Sequence, residues 1–386
     1  MIILHEVKIE GFKSIESARL ELNDLNVVIG ANGAGKSNLI GVFKLLERVL
    51  SENLQLYVAS DPDRLLYHGR KKTPMLSLDF SFEQDSYEFE LEVVQDKLIF
   101  RHERCIRIPR TAENMTDRST IVSARSKGGF YVAEQPGAHG HKESRLKEIA
   151  RLKEIAILST GTEIGISQSV FFQLQDLSSI HHFQDMSDNS PAKQMADVDD
   201  NRFLRPDAAN LAAYLYWLQE KHPVQFRHIE EHIRLVAPFF EKFVLAPSRL
   251  NERKIKLEWR QKGSDAYFDA YSLSDGSLRF ICLAALLLQP SPPALILLDE
   301  PELGLHPFAI RILAEMLEAA SRHVQVLLAT QSVTLLNHFA PQDVIVAEND
   351  GLKTTFNRLD EEKLKDWLDD FSLGELWEKN VLGGRP

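Results

Sequence analysis

The sequence predicts a mixed α/β fold with a parallel sheet, an antiparallel β subdomain and a helical insertion. Three observations support this prediction. A short apolar strand at residues 26–29 leads into a glycine-rich loop, which is followed by apolar residues at helical spacing. Residues 75–108 alternate between apolar and polar, which is typical of antiparallel strands. Far downstream, the apolar run at residues 295–298 indicates a buried parallel strand.

The glycine-rich loop matches the phosphate-loop pattern G-x-x-x-x-G-K-[ST] at every fixed position. Its glycines allow backbone N–H groups to close around phosphate oxygens, and the helix N-terminus adds partial positive charge. A chance glycine-rich turn is the alternative, and the flanking strand and helix argue against it. Lys36 is expected to reach the β- and γ-phosphates of a nucleotide, and the Ser37 hydroxyl to ligate Mg²⁺. The residues predicted to bind the nucleotide here are Gly30, Ala31, Asn32, Gly33, Ala34, Gly35, Lys36, Ser37 and Asn38.

The apolar run at residues 295–298 ends in two carboxylates, Asp299 and Glu300. In open α/β sheets, ligands bind at the carboxyl ends of the strands. We expect Asp299 to hold Mg²⁺ through water and Glu300 to polarise the attacking water. An ordinary strand ending in a solvated acidic turn would show the same residues, but the phosphate loop upstream favours the functional interpretation.

Composition fits a globular protein with one large domain or two closely joined ones. The chain has 386 residues, of which 44% are hydrophobic and 26% charged, and a net charge of −11. That charge argues against a surface coated in positive potential but is compatible with a local basic face. Cys105 and Cys282 lack metal-ligand spacing, which favours a reduced, cytoplasmic setting. No apolar run is long enough to span a bilayer, so no membrane partner is expected.

Three weaker patterns lie outside the two main motifs. The Gly-Phe-Lys-Ser turn at residues 11–14 places Lys13 where it could fold back over the nucleotide, although a simple surface turn explains it equally well. Gln184 precedes a polar linker, where a Mg²⁺-sensing glutamine would lie. Gln173 and Gln175 are further candidates for this role, and a loop glutamine without a ligand is the alternative. Asn349-Asp350-Gly351 predicts a hairpin with a two-residue turn.

The middle of the chain predicts two helices. Asp207 is expected to cap the first, and the second follows Pro223. Residues 228–232 match H-x-x-E-H, an inverted zinc-protease pattern. Because Ile229 and Ile233 indicate a core stripe beside these histidines, we favour a solvated helix face over a zinc site.

A further motif, L-S-D-G-S-L-R, occupies residues 273–279. Ser274 can cap the apolar helix that follows. Gly276 leaves the N-terminus of that helix open to an anion. A capped helix without a ligand is the alternative.

The order of these motifs resembles that of ABC-type ATPases: a phosphate loop, then L-S-x-G, then the Asp-Glu strand and a tight turn at residues 301–307. The turns at residues 11–14 and 301–307 favour the RecF/SMC branch, and the chain is similar to the RecF-like predicted AAA-family ATPases. The resemblance implies a P-loop NTPase fold of the ABC-ATPase (RecF/SMC-like) type, with ATP and Mg²⁺ as cofactors. It also implies an ATP-dependent homodimer, in which Ser274 and Gly276 of one subunit complete the phosphate loop of the other.

One position departs from this family. A His commonly follows the next strand and contacts the γ-phosphate, whereas here residues 324–329 lead to Gln331. Glutamine can donate a hydrogen bond but cannot carry a proton. Gln331 therefore joins Glu300 and Lys36 as a candidate catalytic residue.

We expect an N-terminal lobe at residues 1–180, a helical insertion at 181–245 and a C-terminal lobe at 246–386. The leading hypothesis is an ATP-gated dimer in DNA repair, DNA maintenance or anti-phage defence. Too little chain remains beyond Leu359 for a nuclease domain, so a separate nuclease-like effector is expected, with DNA as a candidate partner. The alternatives are an ABC transporter subunit, against which the β meander and helical insertion argue, and a non-hydrolysing nucleotide-dependent scaffold, which Gln331 motivates.

Overall fold

The computed structural model describes residues 4–59, 61–83, 85–107, 131–134, 140–144, 146, 174, 180–181, 183 and 185–385. The chain forms two compact units. Unit 1 contains Met1–Asn23, Gly30–Ser178 and Val346–Asn357, and unit 2 contains Asp24–Ile29, Ser179–Ile345 and Arg358–Pro386. The phosphate loop therefore belongs to unit 1 and the Asp-Glu strand to unit 2.

The regular elements of the described residues are numbered in chain order. The strands are β1 (Glu6–Phe12), β2 (Ile15–Glu21), β3 (Leu25–Ile29), β4 (Met75–Ser81), β5 (Asp85–Val94), β6 (Lys97–Arg107), β7 (Tyr131–Glu134), β8 (Ile180–His181), β9 (Ala196–Asp197), β10 (Phe240–Phe243), β11 (Lys254–Ile255), β12 (Glu258–Gln261), β13 (Tyr267–Asp269), β14 (Leu295–Asp299), β15 (Gln325–Thr330), β16 (Val344–Asn349) and β17 (Thr354–Arg358). The α-helices are α1 (Lys36–Leu50), α2 (Leu54–Val58), α3 (Leu211–Lys221), α4 (Pro223–Val236), α5 (Asp275–Leu287), α6 (Pro307–Ser321), α7 (Val333–Leu336), α8 (Glu361–Leu368) and α9 (Leu373–Glu378).

Unit 1 contains an antiparallel sheet with the strand order β2-β1-β4-β5-β6-β7. The alternation in the sequence sets which face is buried: Leu76, Leu78 and Phe80 of β4 are fully covered, and the polar residues between them are half-buried. Phe43 of α1 packs edge-on against Phe80 with ring centroids 6.1 Å apart. The predicted meander is therefore confirmed, and its apolar face holds the helix that follows the phosphate loop.

Unit 2 contains parallel strands in the order β3-β15-β14-β8. Every residue of β3 and β15 is buried, as expected for parallel strands covered on both faces. The register places Asp299, the last residue of β14, opposite Ala329 of β15. The carboxyl ends of these two strands therefore bring the residues that follow them, Glu300 and Gln331, to one edge of the sheet.

The middle of the chain forms α3 and α4, but α3 does not begin where the sequence predicted. Its N-cap is Asn210, and Asp207 lies outside the helix. Ala208 adopts a left-handed backbone with φ +57°, which interrupts the helical path. The Asp207 carboxylate instead accepts a hydrogen bond from the Ala209 N–H at 3.0 Å, so the predicted cap is wrong.

The H-x-x-E-H segment lies on α4 with its isoleucines buried and its first histidine exposed. Ile229 and Ile233 are fully covered, while the His232 ring lies 2.8 Å from the His228 carbonyl oxygen. Among the residues that the structure describes, no group of three His, Cys, Asp or Glu could hold a metal ion. The exposure of His228 and Glu231 agrees with the solvated helix face that the sequence favoured.

The C-terminal hairpin joins β16 to β17 through a loop at residues 350–353. The predicted two-residue turn is wrong because the Asp350 carboxylate organises a longer loop. It accepts hydrogen bonds from the N–H groups of Leu352 and Lys353, both at 2.8 Å. In the described part of the chain, no helix is both long and apolar enough to cross a membrane.

Candidate functional site

The phosphate loop follows β3 directly and depends on three glycines with left-handed backbones. The φ angles are +154° at Gly30, +80° at Gly33 and +107° at Gly35, a region that other residues rarely adopt. Gly35 is the N-cap of α1, and no side chain of the described residues caps this helix. The first turn of α1 is therefore built to be capped by an anion.

The predicted phosphate ligand Lys36 and the predicted Mg²⁺ ligand Ser37 are neighbours in this loop but differ in exposure. Lys36 is buried, and its Nζ donates to the carbonyl oxygens of Gly30 at 2.6 Å and Ala31 at 3.1 Å. Ser37 is exposed, as are Asn32 and Gly33. The ammonium is thus held against the loop, and the hydroxyl faces solvent beside it.

Lys13 lies beside α1. Its backbone is left-handed, with φ +50°, and its Nζ is 3.2 Å from the place that a Cβ on Gly41 would take. The same Nζ is 5.4 Å from the centroid of the Phe12 ring. Burial lowers the Lys13 pKa, and the neighbouring cations Lys44 and Arg64 lower it further. The described contacts place this ammonium against the second turn of α1, and its contact with a nucleotide stays a prediction.

A second group of candidate residues lies in unit 2, at the ends of β14 and β15. Glu300 follows Asp299 with a left-handed backbone, φ +49°, and its N–H donates to the Ala329 carbonyl oxygen at 2.8 Å. Such a conformation in a non-glycine residue costs on the order of 1 kcal/mol or more. Gln331 donates a hydrogen bond from Nε2 to Glu300 Oε1. The structure therefore brings together two residues that the sequence placed 31 positions apart.

Glu302 is a buried carboxyl that the sequence analysis missed. Its Oε1 accepts a hydrogen bond from Thr330 Oγ1, while its Oε2 has no hydrogen-bond partner among the described residues. Burial raises the pKa of Glu302, and the negative charge of Glu300 raises it further. A glutamate in a turn is normally solvated, so the sequence gives no indication that Glu302 is buried. Its position directly after Asp299-Glu300-Pro301 was the only signal that could have identified it.

The L-S-D-G motif lies at the start of α5. Ser274 is exposed and caps the helix, with its Oγ accepting from the Ser277 N–H at 3.2 Å. A Cβ on Gly276 would lie 2.4 Å from the Gly304 carbonyl oxygen, within the same unit. Glycine is therefore required at 276 for packing against the turn at residues 301–307. The predicted role of both residues toward the nucleotide of a second subunit stays a prediction.

The oxygen atoms available to a metal are of the kind that Mg²⁺ prefers. Ser37 offers an exposed hydroxyl and Asp299 a half-buried carboxylate, and Mg²⁺ commonly takes one or two such ligands together with phosphates and waters. Each residue by itself therefore offers an oxygen ligand of a kind that suits the ion. Gln184 and its rivals Gln173 and Gln175 lie outside the described residues.

Comparison with known proteins agrees with this arrangement. The family described as "AAA domain, putative AbiEii toxin, Type IV TA system" matches residues 25–337, which is more than half of the chain. No curated protein matches the chain in sequence.

Two solved structures show the same fold. The chain is similar to the SMC head bound to the C-winged helix domain of ScpA, with a TM-score of 0.57 and 15% identity over 94% of this chain and 99% of that chain. It is also similar to the Smc head domain with an extended coiled coil from Pyrococcus furiosus, bound to the C-terminal domain of ScpA, with a TM-score of 0.51 and 14% identity over 96% of this chain and 99% of that chain. At this level of identity the likeness concerns the fold alone. The predicted fold class is thereby confirmed, and the chain belongs to the AAA-domain family of nucleotide-binding ATPases, with the fold of an SMC-like ABC-type ATPase head.

Proposed function

We propose that this protein binds Mg-ATP on its phosphate loop and hydrolyses it with Glu300 as the base. The observation that carries this proposal is the hydrogen bond from Gln331 Nε2 to Glu300 Oε1. It fixes the direction of the carboxylate at the carboxyl ends of β14 and β15. Because Oε1 is engaged by the amide, we assign the attacking water to Oε2.

Other residues are proposed to bind the phosphates, hold Mg²⁺ and orient Glu300. Lys36 neutralises charge on the terminal phosphates, and the uncapped start of α1 supplies N–H donors to them. Ser37 and Asp299 would hold Mg²⁺, which, when bound, stabilises the charge on the transferring phosphoryl group. Gln331 orients Glu300 but does not take a proton itself.

Steady-state phosphate release by the purified protein with Mg-ATP tests this function. We expect turnover in the wild type and none above background in Lys36→Ala. A wild type that binds ATP in calorimetry but releases no phosphate would contradict hydrolysis. It would favour the second candidate function, a nucleotide-dependent scaffold, which the presence of Gln331 in place of His supports.

We further propose that two copies of the chain enclose ATP between them. Ser274 stands exposed at the N-terminus of the 13-residue helix α5, where it could contact the γ-phosphate held by another subunit. ATP would then favour the dimer by mass action, since it contacts both protomers. Light scattering with Mg-ATP and with ADP measures this directly.

The biological setting is proposed as defence against phage, or DNA repair and maintenance, in the cytoplasm. The family description supports a toxin–antitoxin type of system, and the SMC head resembled here was solved with a winged-helix domain of another protein. We therefore propose a separate protein effector, nuclease-like in activity, with DNA as a candidate ligand. Isolating the complexes formed by a Glu300→Gln protein and identifying the bound partner tests this proposal.

A further inference from the structure

The C-terminal hairpin supports the phosphate loop from behind. A Cβ on Gly30 would lie 2.4 Å from the Ala347 carbonyl oxygen in β16. A Cβ on Gly35 would lie 2.3 Å from Thr354 Oγ1 in β17. The two glycines of the phosphate-loop pattern thus pack directly against the hairpin, and no side chain larger than hydrogen fits at either position.

A chain of buried and partly buried hydrogen bonds joins the same two parts of unit 1. Thr354 is fully buried, and its Oγ1 donates to the Ala34 carbonyl oxygen at 3.0 Å. Ser14 Oγ lies 2.7 Å from Thr354 Oγ1, and Asn38 Nδ2 donates to Ser14 Oγ at 2.7 Å.

The direction of this chain follows from donor counting. A threonine hydroxyl has one proton, and in Thr354 that proton goes to the Ala34 carbonyl oxygen, which can only accept. Ser14 must therefore donate to Thr354, and Asn38 to Ser14. The chain runs from the Asn38 amide through two hydroxyls to the Ala34 carbonyl, and each hydroxyl in it both accepts and donates.

The hydrogen bond from Thr354 to the Ala34 carbonyl oxygen also sets the direction of the Gly35 N–H, because both groups belong to one peptide unit. In a planar trans peptide, the C=O of Ala34 and the N–H of Gly35 point in opposite directions. Holding the carbonyl oxygen on the hairpin side therefore turns the Gly35 N–H to the opposite side of the loop. Loop N–H groups of this kind are the donors that bind phosphate oxygens.

We propose that Thr354 is a positioning residue for the phosphate loop, which sets the Ala34–Gly35 peptide for phosphate binding. The inference rests on the proposed nucleotide binding. Thr354 and Ser14 both lie outside residues 25–337, the segment that matches the family. The nucleotide site of this protein thus extends into parts of the chain that the family match does not cover.

The test compares ATP affinity by calorimetry in three variants. Thr354→Val keeps the shape but removes the hydroxyl, and we expect ATP to bind about tenfold more weakly, as for the loss of about one buried hydrogen bond. Thr354→Ser keeps the hydroxyl and should restore most of the affinity. Thr355→Val is the matched control, since it makes the same change one residue further along β17.

Ser14→Ala interrupts the same chain at its middle. If both residues act through one path, the double variant Ser14→Ala/Thr354→Val should bind ATP no more weakly than Thr354→Val alone. Should Thr354→Val fail to fold, Ser14→Ala carries the test, with an expected loss of about threefold.

A purely structural role predicts something different. Thr354→Val would then lower the unfolding temperature without nucleotide, while the folded protein kept wild-type affinity for ATP. That result, or equal losses in Thr354→Val and Thr355→Val, would overturn the inference. If the wild type itself bound no ATP, the proposed nucleotide binding would fail instead, so the two failures are distinguishable.

Discussion

Gln331 donates a hydrogen bond from its side-chain amide to the Glu300 carboxylate, across the adjoining ends of β15 and β14. The amide cannot carry a proton away, so it serves to orient the carboxylate. Catalysis by this site should therefore depend on the Glu300 carboxylate much more than on the Gln331 amide.

We expect Glu300→Gln to bind ATP but to turn it over about 100-fold or more slowly, which is the usual contribution of a general base. The amide keeps the size of the side chain and removes its basicity. Single-turnover and steady-state phosphate release measure the effect. Glu315→Gln, an exposed change on α6, is the control. Wild-type turnover in Glu300→Gln would move the base to another residue.

We expect Lys36→Ala to lose ATP binding, with affinity reduced by about 100-fold, because a charge-assisted hydrogen bond is worth up to about 3 kcal/mol. Lys44→Ala removes a lysine from the same helix and should bind ATP as the wild type does. Calorimetry with ATP compares them. Equal affinities in all three proteins would place the nucleotide elsewhere.

Mixing two inactive chains tests the composite site. Ser274→Arg should bind ATP on its own loop but not hydrolyse it, and Lys36→Ala should do neither. Because a mixed dimer keeps one site built from an intact loop and an intact Ser274, combining the chains should recover part of the activity. A mixture that stays inactive while heterodimers are shown to form would rule out ATP enclosed between subunits.

Gly276→Ala should lower the unfolding temperature, because its new Cβ would lie 2.4 Å from the Gly304 carbonyl oxygen. Overpacking of this kind costs about 1–3 kcal/mol. Ser277→Ala, in the same helical turn, is the control. Thermal unfolding without nucleotide isolates this packing effect, and an unchanged midpoint in Gly276→Ala would show that the turn yields to the added methyl group.

Glu302 should make stability depend on pH. Its pKa is raised above the ordinary value of 4.5 by burial, so the folded protein keeps a proton that the unfolded chain has lost. Folding stability from this group is therefore greatest below pH 4.5 and falls as the pH rises through the raised pKa. Glu302→Gln lacks this dependence. The unfolding midpoint of Glu302→Gln, measured relative to that of the wild type, should therefore increase as the pH rises. A constant difference between the two proteins would contradict the assignment.

Much of this architecture could be predicted because it depends on local patterns. The start of α1 at Lys36, the cap at Ser274 and the strand ending at Asp299 all follow from residues within a few positions of one another. Contacts between distant segments could not be predicted. The close approach of Thr354 to Gly35 and the hydrogen bond from Thr330 to Glu302 depend on tertiary packing. No spacing of residues in the sequence encodes these contacts.

Neither unit of this protein is a continuous stretch of chain. Unit 1 is completed by residues 346–357 and unit 2 by residues 358–386. On the ribosome, neither unit can therefore be completed before synthesis reaches these segments, and β3, which is made early, must wait for its neighbour β15. Pairings over such long separations are intrinsically slow and leave sheet edges open in the meantime. During its synthesis this chain should depend on chaperones until β15 has been made and can pair with β3.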